Sequence, residues 1–278
     1  TAGEQGGGQP GPYEILGLPV HPVGLEEAAA LVTRWVQERD GASGLLRHVV
    51  TLNPEMVMRA RKDPGLAGVV SRAELVVPDG IGVVWAARML GRPALGRVPG
   101  VELAERCLRE LARLNLPVFL VGGEPPGPDG PGVAEEAARR LQARPDLAGL
   151  RVAGTHHGYF AFGSDEEERL LRAIEAARPA LLLVGMGVPR QEAWIDHRRE
   201  RLRRAVRVAI GVGGSLDVWA GRTRRAPPAV RRLGLEWLFR AATQPWRLKR
   251  LAALPAFAGA VLGYRLGGIM GQRVRRKA

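Results

Sequence analysis

The stretch Leu181-Leu182-Leu183-Val184-Gly185-Met186-Gly187-Val188-Pro189-Arg190-Gln191-Glu192-Ala193-Trp194 decides how the rest of the chain is read. It opens with an apolar run that does not alternate, as expected of a strand buried on both faces of a parallel sheet. Gly185 and Gly187 break the run, and Pro189 favours the first turn of a helix. Arg190 and Gln191 then fall where backbone N–H groups point out of a helix N-terminus, a geometry that binds anions and phosphates in particular. Strand, glycines, helix start and arginine together suggest a nucleotide diphosphate. The same residues also fit a tight strand-to-helix turn in any α/β protein, because Gly-x-Gly turns are common.

Outward from this stretch, short apolar runs alternate with helical patterns. The expected strands are 47–52, 74–77, 117–121, 151–154 and 207–210; a short extended hairpin is expected over 15–23. The expected helices are 25–38, one from Pro54, then 81–90, 101–114, 132–143 and 165–177. Alternation of this kind is the signature of a parallel α/β sheet, whose ligands gather beyond the carboxyl ends of the strands. Thr51, Asn53, Asp79, Gly122, Gly123, Gly187, Arg190, Gln191, Gly213 and Gly214 all lie at those ends.

A chain of 278 residues with 25% charged and 46% apolar residues is globular in composition and can bury a large core. Its single cysteine, Cys107, excludes an intramolecular disulfide and a cysteine metal cluster, and its helical spacing with Leu103 and Leu111 suggests packing. Residues 1–12 are rich in glycine and proline and are expected to be disordered. The net charge of +13 implies an anionic partner. The charges of residues 1–217 nearly balance, whereas from Arg222 onward arginines abound beside one acid, Glu236. Basic charge concentrated at one end, next to an apolar stretch, favours an anionic membrane surface over nucleic acid. Residues 251–271 are about as long as a membrane span. Pro255, several glycines and Arg265 make a poor one, so a surface-lying or partner-packed helix is expected, with a kink near Pro255. These features place a boundary near Gly221, with a core over 13–221 that folds without the basic helical appendage of 222–278.

Asp79 follows a strand and precedes a helix. It reads either as a helix N-cap or as a carboxylate that accepts a proton from a hydroxyl at the ligand face. Thr51 and Asn53 likewise read as caps of the helix after Pro54 or as groups that bind a sugar and orient Asp79. The chain has no Asp-x-Asp pair and no cluster with metal-ligand spacing. His156 and His157 are adjacent, so their side chains are expected to diverge. No metal and no cofactor are therefore expected, and a departing diphosphate would be neutralised by arginine. Arg97, Arg190, Arg240, Arg247 and Arg250 are the candidates, whereas Arg273, Arg275 and Arg276 read as solvated or lipid-facing charges.

Taken in order, these pieces resemble a known family. Thr51-Leu52-Asn53-Pro54-Glu55, Pro78-Asp79-Gly80-Ile81-Gly82, Arg97-Val98-Pro99-Gly100, Phe119-Leu120-Val121-Gly122-Gly123 and Gly158-Tyr159-Phe160 precede the opening stretch. Gly211-Val212-Gly213-Gly214-Ser215-Leu216-Asp217, Arg225-Ala226-Pro227, Gly234-Leu235-Glu236-Trp237-Leu238-Phe239-Arg240 and Gln244-Pro245-Trp246-Arg247 follow it. The series resembles the WecG/TagA/CpsF glycosyltransferases of bacterial surface-polymer synthesis, with Gln244 standing where Glu is expected.

The resemblance implies an inverting, metal-independent enzyme. Such an enzyme moves N-acetylmannosamine from its UDP donor to undecaprenyl-diphosphate-linked N-acetylglucosamine, for teichoic acid or a similar polymer. A mannosamine uronic acid or hexose donor remains open. The resemblance also implies Asp79 as general base, Thr51 and Asn53 as its neighbours, Arg97 and Gln191 in the pocket, and Arg240, Arg247 and Arg250 closing on the diphosphate. It places the protein in the cytoplasm, peripheral on the inner face of the plasma membrane, and leaves a homo-oligomer open. The expected fold is α/β: a Rossmann-like, mostly parallel sheet flanked by helices, with a helical C-terminal membrane-associating appendage. Two other classes use parts of the pattern. A nucleotide-dependent oxidoreductase needs Gly-x-Gly-x-x-Gly after its first strand, which is missing here. A nucleic-acid-binding module would use the arginine excess and bind generic DNA in a salt-dependent way.

Overall fold

In a computed structural model, the described residues are 11–38, 46–93, 96–128, 130–232, 234, 236–243 and 253–275. Expectations for residues 1–10 and for the helix start at Pro245 lie outside them. An antiparallel hairpin of β1 (Tyr13–Ile15) and β2 (Leu18–Val20) precedes α1 (Leu25–Gln37). Then come β3 (Arg47–Leu52), α2 (Pro54–Ala60), α3 (Pro64–Ser71), β4 (Leu75–Pro78), α4 (Ile81–Met89) and α5 (Gly100–Leu114). The second half runs β5 (Pro117–Gly122), α6 (Val133–Gln142), β6 (Arg151–His156), α7 (Asp165–Ala177), β7 (Leu181–Gly185), α8 (Arg190–His197), α9 (Arg199–Leu202), β8 (Val208–Gly211) and α10 (Ser215–Trp219). Three further helices close it: α11 (Pro228–Arg232), α12 (Glu236–Thr243) and α13 (Ala253–Arg275).

Strands β3 to β8 form one parallel sheet in the order β4-β3-β8-β7-β5-β6. The non-alternating run of β7 explains its place near the centre. Leu181 and Leu183 face the layer of α1, α5, α6 and α10, while Leu182 and Val184 face the other side, and all four are fully buried. Val118 and Leu120 of β5 divide from Phe119 and Val121 in the same way. Each such side chain contributes about 1.5–3 kcal/mol by leaving water, and truncating Leu183 to Ala would cost about 2–5 kcal/mol. Chain direction out of the sheet diverges between β5 and β7: β5 leads outward to β6, whereas β7 leads inward to β8. A crevice beyond strand ends forms at such a point.

The kink expected near Pro255 falls at the edge of the described residues, which give α13 from Ala253 onward. The tail is not packed as a separate body. Phe257 and Val261, one helical turn apart, are buried in the cluster that holds Met56 and Val57 of α2 and Val83, Ala86 and Ala87 of α4. The boundary near Gly221 thus marks a change in composition that the packing crosses. Arg225 strengthens the crossing through an ion pair with Glu102 at 2.7 Å. Among the described residues, no helix is long and apolar enough to cross a membrane. Leu262, Tyr264 and Leu266 remain exposed on α13.

Candidate active site

Parallel register brings the predicted positions to one edge of the sheet. Leu52 lies beside Pro78, Val184 beside Gly211, and Gly122 beside Gly185. Asp79 leaves the end of β4 with its N–H bonded to the Leu52 carbonyl at 2.7 Å. The cap position of α4 belongs to Gly80, whose φ of +96° suits glycine, so Asp79 stands one residue before the helix cap and is partly exposed. Asn53 does act as a cap: its Oδ1 accepts from Met56 N–H at 2.9 Å and starts α2. Thr51 is buried, donates Oγ1–H to the Gly211 carbonyl at 3.2 Å, and packs against Gly100, where a Cβ would come within 3.2 Å. Its hydroxyl therefore joins the ends of β3 and β8 beneath the site.

The glycine turns are locked by Gln191. Its Oε1 accepts from Gly187 N–H at 3.1 Å and from Gly213 N–H at 3.0 Å, while its Nε2 donates to Glu192 Oε1 at 2.7 Å. With 2% exposure, Gln191 is a brace between the β7 and β8 turns, instead of a side chain presented to a ligand. Arg59 of α2 adds a bond to the Val188 carbonyl at 2.6 Å. Gly187 and Gly213 have positive φ and open space where a side chain would stand, so these turns expose bare backbone. Gly122 is held for the opposite reason: a Cβ there would meet the Gly185 carbonyl at 2.4 Å. Gly123 at its end packs on Val133, and Gly214 precedes α10 as its cap.

The arginines are distributed differently from expectation. Arg190 opens α8 but turns sideways, donating to the Phe160 carbonyl and lying over the rings of Phe160 and Phe162 at 5.4 and 4.8 Å. Arg97 donates to the Arg231 carbonyl at 2.8 Å. It lines a cavity of about 330 Å³ with Glu102, Glu105, Arg106, Arg109, Arg225 and Arg231, on the flank of α5. Arg240 lies on α12, but its side chain, like Arg247, Arg250 and Arg276, is outside the described residues, as are the side chains of Arg273 and Arg275.

Sequence reading missed two groups. Glu192 is fully buried beneath Gly211, with Oε2 lacking any hydrogen-bond partner, and burial pushes its carboxyl up to about 7 despite the bond from Gln191. A signal existed only in Gly211, where a Cβ would sit 2.6 Å from Gln191 Nε2 and 3.0 Å from Glu192 Oε1. The second group corrects an expectation. His156 and His157 do not diverge: their ring centroids are 4.5 Å apart, and both reach Glu166. The chain turns back at Gly158, whose N–H bonds to the Gly123 carbonyl at 2.9 Å, and this folds the second ring over the first.

The edge as a whole offers a partly exposed carboxylate at β4, bare glycine turns at β7 and β8, and a helix N-terminus at α8. That set suits transfer of a group carried on a nucleotide diphosphate. The chain belongs to the glycosyl transferase WecG/TagA/CpsF family, whose sequence profile matches residues 13–270. It is similar to N-acetylglucosaminyldiphosphoundecaprenol N-acetyl-beta-D-mannosaminyltransferase of Staphylococcus aureus strain MRSA252, at 37% identity over 211 residues, covering 75% of this chain and 77% of that protein. The protein of the same name from Staphylococcus aureus strain COL matches to the same extent, with 37% identity over 211 residues, 75% of this chain and 77% of its own.

Proposed function

We propose that the chain transfers N-acetylmannosamine from its UDP donor to the N-acetylglucosamine of an undecaprenyl-diphosphate acceptor, with inversion and without a metal in the reaction. The observation that carries this reading is the position of Asp79 relative to the glycine turns. In the order β4-β3-β8-β7 the turns of β8 and β7 stand two and three strand spacings from Asp79, or about 10 and about 14 Å, a span that a nucleotide diphosphate sugar bridges. The acceptor hydroxyl attacks the anomeric carbon while Asp79 takes its proton. The bond from that carbon to the phosphate oxygen breaks, and UDP leaves with the electron pair. Charge growing on the diphosphate is held by the α8 N-terminus and by arginines brought from the tail, with Arg240, Arg247 and Arg250 in that role. Thr51, Asn53 and Gln191 hold the strand ends in place, and Arg97 secures the tail segment through Arg231.

The acceptor is a lipid whose head lies at the bilayer surface, and the protein meets it from the cytoplasmic side. Arginines beyond Arg222 attract an anionic leaflet by about 1 kcal/mol each, and Leu262, Tyr264 and Leu266 supply apolar contact. The product is a lipid-linked disaccharide for teichoic acid or a similar polymer. Mass spectrometry of products from a lipid-diphosphate N-acetylglucosamine acceptor and a panel of UDP-sugars tests the proposal. A disaccharide formed only from UDP-N-acetylmannosamine supports it. Transfer from a uronic acid or hexose donor instead would overturn the donor assignment.

A further inference from the structure

At the opposite edge of the sheet from Asp79, three side chains converge that the transfer reaction does not use. His156 ends β6, His157 follows it, and Glu166 lies in the first turn of α7. Glu166 Oε1 is 2.8 Å from His157 Nε2 and 3.9 Å from His156 Nε2. One ligand atom from each residue lies within 4.8 Å of the other two, and all three residues are half-buried. His156 is already oriented: its Nδ1 is 2.7 Å from the His157 carbonyl oxygen. A carbonyl only accepts, so the proton is on Nδ1 and the Nε2 lone pair is presented to the cluster. A carbonyl behind the far ring nitrogen is the support typical of metal-bound histidine.

We propose that His156, His157 and Glu166 form a binding site for a borderline divalent transition metal, with Zn²⁺ the ion that their chemistry suits best. Two imidazole nitrogens and one carboxylate oxygen are a common zinc donor set, leaving the fourth tetrahedral position to water. Bonds of about 2.0–2.2 Å bring tetrahedral donor atoms about 3.3–3.5 Å apart, so the His156–Glu166 separation closes by less than an ångström. His157 changes tautomer. Its Nδ1 accepts from Tyr159 N–H at 3.2 Å, so its proton is on Nε2, within the bond to Glu166. On binding, the metal replaces that proton at Nε2, the proton moves to Nδ1, and Tyr159 N–H turns to water. Tyr159 is 66% exposed, which makes that turn feasible.

The site joins the two ends of the loop that carries Phe160 and Phe162, and these are the rings on which Arg190 lies. A bound ion therefore clamps the loop that sets the pose of Arg190. It does not enter the chemistry at Asp79, since β6 and β4 are five strands, or about 24 Å, apart. The inference stands independently of the proposed transfer reaction.

The test is a metal titration of the full chain after EDTA treatment and dialysis. Co²⁺ is followed by its visible ligand-field absorption and then displaced with Zn²⁺. A single equivalent should saturate the protein. His157→Ala and the near-isosteric Glu166→Gln should each weaken Zn²⁺ binding by about 10–100-fold or more. His197→Ala removes a ring of α8 that meets the loop's Phe162 edge-on and should leave binding unchanged. Cys107 is buried and does not compete. The absence of saturable binding would overturn the proposal, as would binding that survives joint replacement of His156 and His157 by Ala.

Discussion

Replacing Glu192 with Gln should change how stability depends on pH, and the size of the change follows from two buried groups of opposite sign. Burial keeps the proton on Glu192 to about 7, against 4.5 for the ordinary carboxyl, although the bond from Gln191 and the charge of Arg59 pull the other way. Between those values the unfolded chain has lost this proton while the native chain retains it. Stability is therefore full below about 4.5 and falls as pH rises to about 7, by about 3 kcal/mol in all. His48 acts in the other direction. It is fully buried, both ring nitrogens lack partners, and burial holds it at about 3, below the ordinary 6.5. Its neutral form belongs to the native state, so its stabilising effect is present above 6.5 and is lost as pH falls towards 3, by about 5 kcal/mol. Where the two windows overlap, from about pH 4.5 to about 6.5, the slopes oppose each other, and their contributions to the native protein's profile nearly cancel. Glu192→Gln removes one slope and uncovers the other. Urea unfolding of both proteins from about pH 5 to about pH 8 measures this. Relative to the native chain, the variant should gain about 2–3 kcal/mol across that range, whatever constant offset the new amide introduces. Parallel profiles would refute a neutral Glu192 in the folded protein.

Three further outcomes are expected. Asp79→Asn should lower turnover by about 10²–10⁴-fold while UDP affinity, measured by calorimetry, stays within a few-fold of the native value; a variant at half the native rate would remove Asp79 as the base. Sugar transfer should survive EDTA, because the cluster at His156 lies at the far edge from Asp79; a large loss restored by Mg²⁺ or Mn²⁺ would place a metal on the diphosphate. Phe257→Ala should destabilise the whole chain by about 3–5 kcal/mol, seen in chemical unfolding, whereas a local loss confined to the tail would mean that α13 does not belong to the core.

Legibility in the sequence followed the locality of each signal. The ends of β3 and α7 were readable because their stops are chemical. Asn53-Pro54 ends β3 and caps α2, and Ser164 before four acids starts α7. The same kind of signal stood at Asp63-Pro64, yet α3 was overlooked: it is eight residues long, and Gly65 and Gly68 interrupt its apolar pattern. Strand-end convergence was readable because a parallel sheet collects those ends by construction. The roles of individual side chains were not. Gln191 reads as a polar residue at a helix start, and only the fold brings Gly213 to its other side. Glu192 reads as an ordinary first-turn acid, and its burial comes from β8 passing over it. His156 and His157 are adjacent in sequence, and neither their period nor their spacing to Glu166 announces the turn at Gly158 that unites them. The tail was readable as a basic, apolar helix, but its seat was not, because α2 and α4 lie far back in the chain.

That seat has a mechanical meaning. The two helices on which α13 rests are the ones that spring from the strand ends of the candidate site: α2 starts at the residue after Asn53, and α4 starts two residues after Asp79. Side chains in such a cluster are close-packed and transmit displacement instead of absorbing it. A push on α13, from a bilayer or from any other load, is therefore delivered first to the supports of Asn53 and Asp79, so the tail acts as a lever whose short arm ends at the proposed reaction centre.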